Sequence, residues 1–103
     1  MDEFDRDLEF EWDKGNVDKN WKKHKVVNKE SEEIFFDARA MRRSDIRHSK
    51  KEERWLLLGK TKVNKKLAVV FTKRKSKIRI ISARPMNKKE KLAYEKQKIS
   101  TNT

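Results

Sequence analysis

Cysteine is absent from this 103-residue chain, and the chain contains only two glycines and one proline. Without cysteine the protein has neither a disulfide framework nor a thiolate metal site, which fits a reducing compartment such as the cytoplasm. The two glycines, Gly15 and Gly59, do not form the glycine-rich loop that holds phosphates in nucleotide-hydrolysing enzymes. No apolar run approaches the roughly 20 residues of a membrane helix, so we predict no membrane insertion.

Histidine is scarce as well, and its spacing argues against a metal site. The only two histidines are His24 and His48. Asp45 and Glu52 lie near His48 in sequence, but carboxylates in a polar loop are more often solvated than metal-bound. We therefore predict neither a metal nor another cofactor.

Positive charge is abundant and unevenly distributed. The chain has 29 basic and 17 acidic residues, for a net charge of +12. Met1–Asp13 holds seven acidic residues and one basic residue, whereas the remaining 90 residues hold 28 basic and 10 acidic. A field of this strength attracts polyanions, with nucleic acid as the leading candidate, although an acidic protein partner or a merely solvated lysine surface has the same composition. We treat residues 1–7 as an acidic extension.

Three apolar runs between Arg54 and Arg84 predict the centre of the fold. Trp55–Gly59, Leu67–Thr72 and Ile78–Ala83 each have strand length, and polar links suited to turns separate them. The middle run is apolar on both faces, so we place it centrally, with a helix covering at least one face. In regular alternation Arg79 shares a face with Ile81 and Ala83, where it needs a carboxylate or a phosphate as partner.

The flanking segments predict helices and two short extended segments. Leu8, Phe10 and Trp12 alternate with acidic residues as in a strand with one buried face. A first helix over Lys14–His24 starts at an Asp13 cap, with Val17 and Trp21 as its apolar stripe. In chain order there follow a second helix over Lys29–Phe36, an extended segment at Ala38–Arg43 and a polar loop at Ser44–Lys51.

The last helix starts with a capping box, in which Asn87 is followed by Glu90 three residues later. It extends over Lys88–Lys98, offers Leu92, Ala93, Tyr94 and Ile99 to the core, and leaves residues 100–103 as a frayed tail. The 103 residues thus form one α+β domain. Its small, mostly antiparallel sheet is flanked by helices in the order β-α-α-β-β-β-β-α.

Among nucleic-acid enzymes, a metal-free ribonuclease suits these residues best. Such an enzyme needs a base for the ribose 2′-hydroxyl, cations around the phosphate and an acid for the leaving oxygen. The residue types are present, but composition does not choose among them. The candidates are His24, His48, Glu52, Glu53, Arg54, Arg79, Arg84, Lys23 and Tyr94.

Each candidate also has an ordinary structural interpretation. In that interpretation His24 compensates the dipole at a helix end, Arg79 forms an internal ion pair, and Tyr94, Trp12 and Trp21 lie in the core. For Trp55 the functional alternative is stacking on a base, which requires that its ring be exposed.

Several of these residues occur together in a pattern that resembles the BrnT family of type II toxins, within the wider RelE-like ribonuclease group. The resemblance rests on a combination of motifs, none of which suffices alone. In chain order they are FEWD at Phe10–Asp13, Asn20 with Lys23–His24, FFD at Phe35–Asp37, HSKKEER at His48–Arg54 with Gly59, VVFTKR at Val69–Arg74, IRIISAR at Ile78–Arg84, and Glu90 with Tyr94–Glu95.

The resemblance implies a RelE-like fold, metal-independent RNA cleavage and arrest of translation. It also implies a BrnA-type antitoxin with a ribbon-helix-helix portion, which neutralises the toxin and represses the operon with it by binding operator DNA. The catalytic group that it implies is His24, His48, Glu53, Arg54, Arg79, Arg84 and Tyr94. Further RNA-binding candidates are Lys23, Trp12, Trp55 and Arg74.

This chain departs from the family pattern at three turns. Lys14 and Ala38 stand where proline is usual, and Lys25 stands where glycine commonly follows the Lys-His pair. A second function also remains open from the sequence: a non-catalytic basic subunit that binds nucleic acid or acts as a co-repressor.

Overall fold

The predicted central strands are present, and two short strands extend the sheet at its edges. The structure, a computed structural model, describes residues 8–12, 18–45 and 52–101. Within these residues the strands are β1 Glu9–Glu11, β2 Met41–Ser44, β3 Trp55–Lys60, β4 Lys66–Arg74 and β5 Lys77–Pro85. The helices are α1 Lys19–His24, α2 Asn28–Glu33 and α3 Lys88–Thr101, with a 3₁₀ turn at Ile34–Phe36 directly after α2.

The strand order across the sheet is β1-β5-β4-β3-β2, so the apolar strand β4 is central, as its composition predicts. The pairs β2–β3, β3–β4 and β4–β5 are antiparallel, whereas β1 pairs parallel to β5 over three residues. The prediction of a small, mostly antiparallel α+β sheet with flanking helices is confirmed.

One face of the sheet carries the main core. The 3₁₀ turn after α2 packs there, and the ring of Phe35 lies edge-on to the ring of Phe71 at 5.0 Å between centroids. Gly59 makes this packing close, because a Cβ at that position would lie 3.0 Å from Cβ of Ile34. A larger residue would push the turn away from β3.

The opposite face is only partly covered, by α3. Tyr94 is fully buried against Leu58, Ala68 and Met86. Its hydroxyl donates to Oδ2 of Asp37 at 2.6 Å, which joins α3 to the corner before β2. The helix continues to Thr101, past its predicted end at Lys98.

The capping box at the start of α3 is confirmed. The backbone N–H of Glu90 donates to Oδ1 of Asn87 at 2.8 Å, and the backbone N–H of Asn87 donates to Oε1 of Glu90 at 2.9 Å.

Two apolar side chains that we predicted in the core are exposed. Trp21 is 50% exposed and Leu92 is 64% exposed. In α1 the buried residue is Asn20, so the adjacent Trp21 faces outward, where the Lys25 amine covers its ring at 5.0 Å. In α3, Glu90 and Tyr94 are four residues apart and share the inward side, so Leu92 between them turns to solvent.

A β-bulge in β5 overturns the predicted partners of Arg79. Phe71 pairs with Ile80, but the preceding Val70 pairs with Ser82, so Ile81 is an extra residue. After the bulge the alternation changes phase, and Ala83 joins Ile78 and Ile80 in the main core. The prediction that Arg79 and Ala83 share a face was therefore wrong, because simple alternation does not allow for an inserted residue.

Some predicted features lie outside the described residues. These are the acidic extension 1–7, the Asp13 cap, the loop that holds His48, and the last two residues of the tail. The predicted core position of Ile99 likewise lies beyond what the structure describes. The predicted start of the first helix at Lys14 was wrong, because α1 begins at Lys19 with Asp18 as its N-cap.

Candidate functional site

The part of the sheet that α3 leaves uncovered forms an open cleft of about 670 Å³. Its floor is a row of side chains across three strands, in which Leu56 pairs with Val70 and Val70 pairs with Ser82. The bulged residue Ile81 completes the floor. The lining residues are Lys19, Arg43, Ser44, Asp45, Arg54, Leu56, Val70, Ile81, Ser82 and Arg84.

Four cationic side chains from separate parts of the chain line this cleft. Lys19 comes from α1, Arg43 from β2, Arg54 from the residue before β3 and Arg84 from β5. Because side chains alternate along a strand, the positions of Arg43 and Arg84 on this face follow from their pairing with Leu56 and Ala68. The convergence of four cations on an apolar floor makes the cleft suitable for an extended polyanion.

Arg79 lies on the same face of the sheet. Its pairing partner is Thr72, two residues beyond Val70 on β4. Arg54 immediately precedes Trp55, the partner of Phe71, and so lies on the other side of Thr72. Since neighbouring strands are about 4.8 Å apart, the Cα atoms of Arg54 and Arg79 are about 10 Å apart across β4. Three of the predicted catalytic arginines therefore share one surface.

Arg84 is held in the wall of the cleft by a two-pronged contact. Its Nη1 donates to Oε1 of Glu90 at 2.7 Å, and its Nη2 donates to Oε2 of the same carboxylate at 2.8 Å. The hydrogen bond from Arg84 lowers the pKa of Glu90, against the opposing effect of desolvation. The same bond raises the pKa of Arg84. The pair is thus fully charged and its geometry is fixed.

Asp45 brings a carboxylate into this cationic surface. Its backbone N–H donates to the Arg54 carbonyl at 2.8 Å, which continues the β2–β3 pairing by one residue. The side chain lines the cleft and is half-buried. A carboxylate in this position is able to accept a proton from a bound ligand.

Several predicted site residues lie away from the cleft. His24 and Lys23 end α1, where His24 is half-buried and Lys23 is exposed. Glu53 is exposed, and its backbone carbonyl accepts the Thr72 hydroxyl at 2.6 Å. Arg74 pairs with Glu52 at 3.3 Å.

Tyr94 is buried beneath α3 with no exposed surface. Burial raises its pKa, and its hydrogen bond to Asp37 raises it further. The phenol therefore stays protonated well beyond neutral pH.

The two predicted RNA-binding tryptophans contact the main core on the opposite face. Trp12 is half-buried, and its indole N–H donates to Glu32 at 2.8 Å. Trp55 stacks on Phe71 with ring centroids 5.7 Å apart. The cationic groups of Arg42 and Lys73 each lie 5.9 Å from the centre of the Trp55 ring, so two positive charges flank this tryptophan on the core face.

Lys19, Arg43 and Asp45 are cleft residues that sequence reasoning did not select for the site. Lys19 lies in a predicted helix without any motif of its own. Its place at the cleft depends on Asn20, whose Oδ1 accepts the Ala83 backbone N–H at 3.0 Å and holds α1 at the edge of β5. The alternation of Arg43 in β2 with Asp45 directly after it was the one usable signal, but a four-residue strand gives it little weight.

In the described part of the chain, no three His, Asp or Glu side chains are grouped closely enough to hold a metal ion. No helix among the described residues has the length and apolar character to span a membrane.

A small basic α+β domain with an open cationic cleft on its sheet has the charge distribution that is typical of proteins that bind polyanions. Residues 12–90 match the family model described as "Ribonuclease toxin, BrnT, of type II toxin-antitoxin system". The chain therefore belongs to the BrnT family of ribonuclease toxins, as its motifs predicted, with RNA as substrate and an antitoxin as partner. A comparison with curated proteins finds no match.

Proposed function

We propose that the protein cleaves RNA without a metal ion, by attack of a ribose 2′-oxygen on the adjacent phosphorus. The bond from phosphorus to the 5′-oxygen of the next nucleotide breaks as the new bond forms. A base removes the 2′-hydroxyl proton and an acid returns a proton to the leaving oxygen, so the protein supplies positioning, positive charge and proton transfer.

The observation that carries this proposal is the set of arginines on one open face. Arg54 and Arg84 line the cleft, and Arg79 lies beside it in register. In this proposal their guanidinium groups hold the scissile phosphate and stabilise the charge that develops on its oxygens. Arg43 and Lys19 bind neighbouring phosphates along the strand.

The proton-transfer groups come from two sources. The family resemblance favours His24, His48 and Glu53, and the lining of the cleft adds Asp45. Because Tyr94 is buried and bonded to Asp37, we propose that it anchors α3 rather than assisting the leaving oxygen.

The test uses the full chain, purified free of its partner and incubated with RNA in EDTA. We expect cleavage to persist in EDTA and to fall about a hundredfold or more in Arg54→Ala and Arg79→Ala. Lys96→Ala, which removes a positive charge from the exposed side of α3, is the matched control and should cleave normally. Intact RNA with the parent chain, or equal losses in all three variants, would contradict the proposal.

The alternative of a non-catalytic basic subunit makes a different prediction in cells. A ribonuclease toxin stops growth when it is induced without its antitoxin, and Arg54→Ala relieves the arrest. A subunit that only binds nucleic acid leaves growth unchanged in both cases.

We further propose the finer features that the family resemblance implies. The sheet and helices follow the RelE-like arrangement, and the antitoxin is of the BrnA type. The complex binds operator DNA through the ribbon-helix-helix portion of the antitoxin, and the toxin acts in the cytoplasm to inhibit translation. Co-purification with the product of an adjacent short gene, followed by an operator-binding assay, tests the partnership.

A further inference from the structure

We propose that Glu90 is a positioning residue, which holds Arg84 in the orientation that RNA cleavage requires. This inference rests on the proposed function of the cleft and assigns a role to a side chain that does not itself line it. Glu90 acts through Arg84 and does not contact the RNA.

The contacts of Glu90 are unusually complete for a residue near the surface. Its carboxylate accepts hydrogen bonds from both terminal nitrogens of Arg84, at 2.7 and 2.8 Å, and from the backbone N–H of Asn87 at 2.9 Å. The Glu90 side chain is only 11% exposed, whereas that of Arg84 is 38% exposed. The fixed member of the pair is therefore Glu90, and the member that solvent or a ligand reaches is Arg84.

The geometry leaves Arg84 able to bind an anion while it is held. A guanidinium has five N–H donors, and the bonds to Glu90 and to the Pro85 carbonyl use three of them. A two-pronged contact also fixes the plane of the guanidinium, which a single contact does not. These bonds leave two donors on a side chain that lines the cleft.

An arginine without this support would lose side-chain entropy each time it bound a phosphate. In this protein Glu90 orders the Arg84 side chain when the chain folds, before any RNA binds. Glu90 also attracts Arg43 electrostatically, so its charge acts on a second cation of the cleft. The same carboxylate caps α3, and the first turn of that helix is thus tied to the wall of the cleft.

Glu90→Gln tests this role, because glutamine keeps a side-chain oxygen for the Asn87 N–H and loses the charged, two-pronged contact. We expect RNA cleavage to fall about tenfold in the parent background and to change less than about twofold in an Arg84→Ala background. Binding of the same RNA in non-cleavable 2′-O-methyl form should stay equal or tighten, since a negative charge is removed near the cleft. Such a split between binding and cleavage does not arise from a loss of stability.

The matched control is Asn87→Ala, which removes the side-chain cap of α3 and leaves the Arg84 pair in place. It should lower the unfolding midpoint without changing cleavage at a temperature where the chain is folded. Equal losses of cleavage from Glu90→Gln in both backgrounds, unchanged cleavage in Glu90→Gln, or unchanged cleavage in Arg84→Ala would each overturn the inference. A parent chain that leaves RNA intact would instead remove the proposed function, and this inference with it.

Discussion

The two faces of the sheet differ: one carries the main hydrophobic core and the other carries the open cationic cleft. On the core face, Leu57, Val69 and Phe71 are fully buried in the cluster that includes Ile34 and Phe35 of the 3₁₀ turn. On the other face, the residues that alternate with them, such as Leu56 and Val70, are only partly buried and form the floor of the cleft. Strands β3, β4 and β5 each supply side chains to both faces.

Under the proposed function, this division separates the requirements for folding from those for RNA binding. Apolar burial on the core face stabilises the fold, whereas the cationic side chains beside the cleft attract an anionic ligand. Substitutions on the two faces should therefore have opposite profiles, with stability lost on one and activity lost on the other. Three predictions test this comparison.

The largest expected effect is on the core face. Phe35→Ala should lower the free energy of unfolding by about 3–5 kcal/mol, because it leaves a cavity next to Phe71. Phe36→Ala is the control, since Phe36 is the next residue but is 56% exposed, and it should cost less than about 1 kcal/mol. Urea denaturation measures both. Similar losses for the two variants would mean that burial does not separate these positions.

The second prediction compares neighbouring arginines of β2 that point to opposite faces. Arg43→Ala should lower RNA cleavage about ten- to hundredfold and reduce the salt dependence of RNA binding by about one phosphate contact. Arg42→Ala should stay within about threefold of the parent, because Arg42 lies over Trp55 on the core face. A larger loss in Arg42→Ala would place the RNA on the Trp55 side of the sheet.

The third prediction concerns the anchor of α3. Tyr94→Phe should cost about 1.5 kcal/mol of unfolding free energy through the lost hydrogen bond to Asp37, with RNA cleavage unchanged. A normal cleavage rate in Tyr94→Phe would show that the hydroxyl has a structural role only, whereas a hundredfold loss would show that it takes part in catalysis.

The same tyrosine makes stability depend on alkaline pH. Its folded-state pKa lies above the unfolded value near 10, so its contribution is complete below about pH 10 and is lost as pH rises further. The part of the decline that Tyr94 causes is at most about 1.4 kcal/mol per pH unit, and Tyr94→Phe should remove that part and leave the part due to lysine titration. Tyr94 is the only tyrosine of the chain, so tyrosinate absorbance reports its ionisation directly.

The sequence predicted the parts of the fold that local patterns encode. Strand length and apolar runs located β3, β4 and β5, and the spacing of Asn87 and Glu90 located the start of α3. These signals succeed because each depends on residues that are close together in the chain.

The site was harder to predict because it depends on contacts between distant elements. The bulge at Ile81 has no simple sequence signal, yet it decides which residues of β5 face the cleft. Lys19 reaches the cleft only because Asn20 bonds to Ala83, 63 residues further along the chain. Trp21 has an apolar side chain, but a six-residue helix anchored through its neighbour leaves it exposed.

The extra residue in β5 makes the shape of the cleft adjustable independently of the core. Deleting Ile81 would leave Phe71 opposite Ile80 and Val70 opposite Ser82, so every flanking pair would survive. The strand would lose only its local bend and one apolar group from the floor. Deleting Ile81 should therefore reshape the floor of the cleft while the buried pairs of β5 stay intact.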